Sequence, residues 1–182
     1  MNYNFWIFLL KCFYIMIPAY FANMAPVMVK RINFLKYPID FNMKLSGKPV
    51  FGRNKTFRGF FFGILFSVSI SYIQYRLFTA GFFREVSFYN YENWLLFGLL
   101  MGLGALTGDI AKSFLKRRIG IKPGDKFVPL DQTDFVIGSL IFIIPVYKAT
   151  FAIFVACLLL SLLLHIIVNH IAFFLKIRSE KW

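Results

Sequence analysis

Four of the chain's eight acidic side chains, Asp109, Asp125, Asp131 and Asp134, fall inside one stretch of 26 residues. That stretch follows "WLLFGLLMGLGALT", an uncharged run suited to the middle of a bilayer. Asp109, Lys112, Ser113 and Lys116 stand at i, i+3, i+4 and i+7, which is one face of a helix. Asp131 and Asp134 stand at i and i+3, so on a helix their carboxylates point the same way. Taken alone, the first stripe reads as a basic flank with one paired acid, and Asp131 reads as a helix N-cap. Asp134 escapes that reading, because it sits at the head of the next apolar run, where an ionised acid needs a partner or water. Two loop-linked helices bring Asp109, Asp131 and Asp134 to one pocket.

Three carboxylates ringed by Lys and Arg suit Mg²⁺ and a polyphosphate. Mg²⁺ takes oxygen ligands and usually binds one or two carboxylates together with substrate phosphates. Lys and Arg hold the remaining phosphate oxygens. The segment "SGKPVFGRNKTFRG" adds Arg53, Lys55 and Arg58, with Gly52 permitting close backbone approach. No Ser-His-Asp or Cys-His arrangement lies near this pocket. Both histidines, His165 and His170, sit in the last apolar run and read as interhelical or interfacial residues. Ser113 has no neighbouring base and reads as a ligand or packing residue, not a nucleophile. A substrate whose own phosphate oxygen attacks needs only positioning and charge neutralisation. Asn23, between Pro18 and Pro26, reads either as an interhelical hydrogen-bonding group or as a polar group lining a cavity beside a proline-broken helix.

The elements that must position these residues are membrane helices. Hydrophobic residues make up 59% of the 182, and only 16% are charged. Soluble domains carry about 25% charged residues, so this is an integral membrane chain, expected as a single domain over 1–182. Lys and Arg outnumber acids 21 to 8. Apolar runs separate the basic clusters, which argues against nucleic acid and for loops beside a bilayer, anionic lipid or phosphate-bearing substrates. Cys12 and Cys157 lie in apolar runs without metal-ligand spacing and read as small buried hydrophobes.

The hydropathy pattern predicts an all-α protein of about five transmembrane helices at 5–29, 57–83, 94–115, 133–147 and 149–175. Tyr3, Phe5 and Trp6 are expected as interfacial anchors, and Thr56 as the N-cap of the second span. The fourth span is short: 13 uncharged residues separate Asp134 from Lys148. At ~1.5 Å per residue they cover roughly 20 Å of a ~30 Å hydrocarbon core. Its polar end therefore sits in protein or in a wet cavity. Gly98, Gly102, Gly104 and Gly108 on the third span allow close helix approach or leave room beside the helix. Segment 30–58 carries eight basic residues, 116–132 five and the C-terminal tail three, against Arg84 and Lys148 on the other links. The positive-inside rule then puts the N-terminus outside and the two basic loops in the cytoplasm, where they form the polar pocket.

Together "GDIAKSFLKRRIGIKPGD", "PLDQTD", "GKPVFGRNKTFRG" and "PAYFANMAP" resemble the CDP-archaeol synthase family, membrane cytidylyltransferases related to CDP-diacylglycerol synthases. The resemblance covers nearly the whole chain. It departs from the diacylglycerol branch, since Asp131 and Asp134 flank Gln-Thr and follow Pro129-Leu130. The resemblance implies that CTP and an isoprenoid glycerol-ether lipid phosphate give a CDP-lipid and pyrophosphate with Mg²⁺, in a cell membrane. It implies Asp109, Asp131 and Asp134 as metal and catalytic carboxylates, and Lys112, Ser113, Lys116 and Arg117 as holders of the CTP phosphates. Arg53, Asn54, Lys55 and Arg58 close the nucleotide side, with Asn23 a weaker correspondence. The lipid tails are expected in a groove beside the glycine-rich third span. A transporter or channel for a phosphate-bearing solute is the competing reading: it would use the same charges to bind without chemistry.

Overall fold

A computed structural model describes residues 5–122 and 125–174, and of Ala172 and Phe173 only the backbone. Tyr3, Leu175 and the basic tail fall outside the described residues. The elements are α1 (Phe5–Met28), a hairpin of β1 (Lys44–Leu45) and β2 (Lys48–Pro49), α2 (Phe57–Thr79), a 3-10 turn (Arg84–Val86), α3 (Trp94–Arg118), α4 (Leu130–Phe142) and α5 (Phe151–Phe174). Among the described residues four helices, α1, α2, α3 and α5, are long and apolar enough to cross a membrane. The fourth predicted span is the 13-residue α4, which covers only about 20 Å. As that length demands, it is wrapped in protein: Thr133, Asp134, Phe135, Val136, Gly138, Ser139 and Leu140 are all buried.

Helix limits follow local chemistry. Thr56 caps α2, its hydroxyl accepting the Gly59 N–H at 3.2 Å. The alternative of Asp131 as an N-cap is not taken: Pro129 occupies the cap position, and the Asp131 carboxylate accepts the Phe127 N–H. Lys116, Arg117 and Arg118 extend α3 beyond Leu115 as its last turn, where cations suit the negative end of the helix dipole. Pro18 and Pro26 do not break α1. Pro18 cannot donate to the Tyr14 carbonyl one turn back, and Gln74 of α2 supplies that bond, its Nε2 donating to Tyr14 O at 2.7 Å. The hairpin turns on Ser46 (φ 52°) and Gly47 (φ 76°), the two positive φ values of a type I′ turn.

The third-span glycines place the helices. A Cβ on Gly98 would meet Val68 Cα at 2.8 Å, and one on Gly102 would meet Ser67 Cβ at 3.0 Å, so this face carries α2. On the other face, a Cβ on Gly104 would lie 2.5 Å from the Gly138 carbonyl oxygen, and one on Gly108 only 2.2 Å from that of Asp134. Among the described residues the α3–α4 contact is the most extensive. The groove for lipid tails expected beside these glycines is therefore filled by α2 and α4.

Candidate functional site

The approach of α4 to Gly108 brings Asp134 alongside Asp109. Between them lies Lys112, one turn along α3. Its Nζ is 3.0 Å from Asp109 Oδ1, 3.2 Å from Asp131 Oδ1 and 2.9 Å from Asp134 Oδ2. Two more lysines close the cluster from outside. Lys55, from the segment before α2, reaches Asp109 Oδ2 at 2.5 Å. Lys116 lies 3.1 Å from both oxygens of Asp131 and donates to the Asp125 carbonyl at 2.5 Å. Among these carboxylates Asp134 is the most buried, its side chain 4% exposed. Its Oδ1 is buried with no hydrogen-bond partner, which leaves a carboxylate oxygen with coordinating capacity unused.

These residues fit a hard divalent cation. The donors are all carboxylate oxygens, they already surround one cationic centre, and Asp134 Oδ1 is spare; oxygen-only donor sets of this kind suit Mg²⁺ and similar ions.

Beside the cluster lies a cavity of ≈ 100 Å³ lined by Phe51, Gly52, Asn54, Lys55, Lys112, Ser113, Lys116 and Arg117. Four of its eight wall residues are cations, so it favours an anion. A smaller cavity of ≈ 20 Å³ shares Asn54 and Lys55 and is otherwise walled mostly by apolar groups, among them Pro26, Phe60 and Leu106, with Asp109 at its edge. Ser113, Lys116 and Arg117 are buried; Arg117 also donates to the Ile121 carbonyl.

The wall that carries Phe51, Gly52 and Asn54 is held by two anchors. Arg118 donates from Nη1 to the Leu45 carbonyl at 2.7 Å and from Nη2 to that of Pro49 at 2.6 Å, while Lys48 Nζ donates to the Arg118 carbonyl at 3.1 Å. Asp40, the only acid in segment 30–58, accepts the N–H groups of Phe51 at 2.9 Å, Gly52 at 3.0 Å and Asn42 at 3.0 Å. Burial pushes the Asp40 carboxyl up, but these three N–H donors outweigh it and hold it below the usual carboxylate range. Gly52, at φ 100°, has the Arg117 Nε 3.6 Å from where its Cβ would be, the close approach expected of it.

Most of the sequence-derived site residues meet here: Asp109, Asp131, Asp134, Lys55, Asn54, Lys112, Ser113, Lys116 and Arg117. Lys112, expected on phosphates, is held by the carboxylates. Arg53 is exposed and lines neither cavity. Arg58 turns away, donating to the Ile32 carbonyl. Asn23 is half-buried on α1 and also lines neither cavity. Arg118 and Asp40 were missed. For Asp40 there was a signal, a lone acid among eight bases; Arg118 had none, because it reads as one more residue of a basic flank.

The sequence profile of the CarS-like CDP-archaeol synthases matches residues 5–182. A CDP-archaeol synthase from Thermofilum pendens is 37% identical over 91% of this chain and 78% of its own length. Those of Saccharolobus islandicus and Pyrococcus furiosus are each 34% identical, covering 96% of this chain and 96% and 98% of theirs. A solved structure of an intramembrane enzyme for archaeal membrane lipid biosynthesis superposes with a TM-score of 0.70 at 30% identity, over 86% of this chain and 90% of that one.

Proposed function

We infer the chemistry of the cluster from the fact that this chain belongs to the CDP-archaeol synthase family. It is an integral membrane cytidylyltransferase: it transfers CMP from CTP to a membrane lipid phosphate, giving a CDP-lipid and pyrophosphate. The reading of the same charges as a transporter finds no support in these relatives. The names of the relatives point to an archaeol-type ether lipid phosphate as the acceptor. We assign Asp109, Asp131 and Asp134 as holders of the family's metal ion, proposed to be Mg²⁺. When bound there, the ion supplies electrophilic stabilisation of the phosphate oxygens.

The chain's own residues do the rest. Lys55, Lys116, Arg117 and Ser113 line the anion cavity and hold the β- and γ-phosphates, neutralising charge that builds on the departing pyrophosphate. Lys55 and Asn54, shared by both cavities, sit where the acceptor phosphate meets the nucleotide. A lipid phosphate oxygen attacks the α-phosphorus of CTP; the bond to the β-phosphate bridging oxygen breaks and pyrophosphate leaves. No protein nucleophile is required, since the attacking oxygen is already ionised. The distribution of basic residues supports an active site on the cytoplasmic side and an N-terminus outside.

The observation that carries this assignment is the convergence of three carboxylates on one cation beside a lysine-rich cavity. The test is a reconstituted assay with radiolabelled CTP against a panel of ether and ester lipid phosphates, with and without Mg²⁺. Label is expected in a CDP-lipid, with Mg²⁺ required and an isoprenoid ether acceptor preferred. Label transfer that proceeds equally after chelation would sink the metal assignment.

A further inference from the structure

Among the described residues, Lys112 is the one side chain in ion-pair contact with all three carboxylates. Lys55 touches Asp109 alone, and Lys116 touches Asp131. We propose that the Lys112 ammonium is a tethered stand-in for the divalent cation: it holds the carboxylates together while the metal is absent, and it moves onto the nucleotide phosphates when the metal enters. This rests on the reading of Asp109, Asp131 and Asp134 as the metal's ligands.

Three observations support it. The contacts to Lys112, 2.9–3.2 Å, are hydrogen-bond lengths, whereas Mg²⁺ needs oxygens at about 2.0–2.1 Å. A dication and an ammonium cannot share the space between the same oxygens, so the lysine must leave.

Charge balance singles out the same residue. Three carboxylates face three ammonium groups, so the cluster is neutral as it stands. Without Lys112 the Asp134 carboxylate would have no cation, a severe cost for a buried acid. A dication arriving on top of all three lysines would leave a double positive excess. Lys55 and Lys116 each have an acid of their own, and Lys116 also has the Asp125 carbonyl. Lys112 alone sits at the centre of all three carboxylates, the position the metal would claim.

A destination lies within reach. Lys112 already lines the 100 Å³ anion cavity with Ser113, Lys116 and Arg117. A flexible four-carbon stem can carry its ammonium there without moving the helix. The consequence is a coupling: the tethered amine competes with the metal, and a bound triphosphate relieves that competition by accepting the amine. Metal and nucleotide therefore strengthen each other's binding.

The test uses full-length protein in detergent and Mn²⁺ as the probe, with free Mn²⁺ followed by electron paramagnetic resonance and no nucleotide present. Lys112→Met is expected to bind Mn²⁺ about tenfold more tightly than wild type, and CTP is expected to enhance Mn²⁺ binding less in the variant than in wild type. Unchanged or weaker binding by Lys112→Met, with Asp134→Asn still abolishing binding, overturns the stand-in role and leaves the carboxylate assignment intact. Wild-type binding by Asp109→Asn, Asp131→Asn and Asp134→Asn overturns both. A second measurement avoids dependence on a variant that fails to fold: amine-reactive labelling of Lys112 in wild type, read by peptide mass spectrometry. Mn²⁺ alone should raise labelling several-fold, and Mn²⁺ with CTP should lower it again. Labelling that ignores saturating Mn²⁺ overturns the proposal.

Discussion

At the N-terminal end of α3 the neighbours are aromatic rings; at its C-terminal end they are ions. Phe97 stacks on Tyr89 at 5.2 Å and meets Tyr91 edge-on at 5.5 Å, while Tyr91 meets Tyr14 at 6.2 Å and Phe78 at 6.1 Å. Tyr91 and Phe97 are fully buried. Ring pairs of this kind need shape and burial, and many substitutions preserve both. The other end gathers Asp109, Asp131 and Asp134 with Lys55, Lys112 and Lys116. Buried ion clusters add little net stability, because desolvation offsets attraction, yet removing one member strands another. The difference teaches that stability and chemistry occupy opposite ends of the same helix. Between them the glycines bring backbones into contact, Gly98 and Gly102 against α2 and Gly104 and Gly108 against α4.

Substitutions at the two ends should therefore separate turnover from stability. Asp134→Asn should have the largest effect: CTP-dependent turnover falls on the order of 10³-fold, while the detergent-solubilised protein stays folded by circular dichroism. Turnover within a few-fold of wild type would mean that the ionic end is not the reaction centre.

The glycine seam allows a matched pair. Gly108→Ala puts a methyl group 2.2 Å from the Asp134 carbonyl oxygen, and Gly98→Ala puts one 2.8 Å from Val68 Cα. Both overpack helix contacts at a cost of about 1–3 kcal/mol, which thermal-shift measurement should report for each. Only Gly108→Ala moves Asp134 relative to Asp109, so it should lose about 10²-fold in turnover, as angstrom-scale misplacement does. Gly98→Ala should stay within a few-fold. Equal turnover loss in both would erase the distinction between the two ends.

Arg118→Ala removes the guanidinium that pins the hairpin but touches no carboxylate of the cluster. The KM for CTP should rise about tenfold, as with loss of hydrogen bonds made by a charged donor, with kcat nearly unchanged. A fall in kcat at constant KM would place the hairpin in the chemical step instead.

The smallest effect concerns pH. Asp40 is held below its unfolded value of about 3.9, so its contribution is complete above that value and fades only as pH falls through the lower folded pKa. Hydrogen-exchange protection of the Phe51 and Gly52 N–H groups should be constant from pH 7 to 5, after correction for intrinsic exchange, and drop only in stronger acid. Asp40→Asn should lower it at every pH. A protection loss centred near pH 6 in the wild type would contradict the Asp40 clamp.

Much of this was legible from residue types. A charge-poor chain with long unbroken apolar runs hides its backbone in membrane helices, and the four long ones fall where hydropathy put them. The shortness of the run after Asp134 required burial in protein, and α4 is so buried. Helix periodicity put Asp109, Lys112, Ser113 and Lys116 on one face, and the i, i+3 pair on α4 aimed Asp131 and Asp134 together. Arg58 and Asn23 were harder, because a basic or amide side chain beside a site looks the same in sequence whether it faces in or braces a neighbouring carbonyl.

The sequence by itself determined which groups exist and which side of each helix they occupy, because periodicity is a local property of the backbone. Tertiary structure alone decided who meets whom. The glycines read equally well as a lipid groove or a packing seam, and only the arrival of α2 and α4 made them a seam. The family resemblance implied Lys112 as a phosphate ligand. Only the fold shows three carboxylates converging on it from two helices, since a buried anion takes the nearest cation that its fold provides.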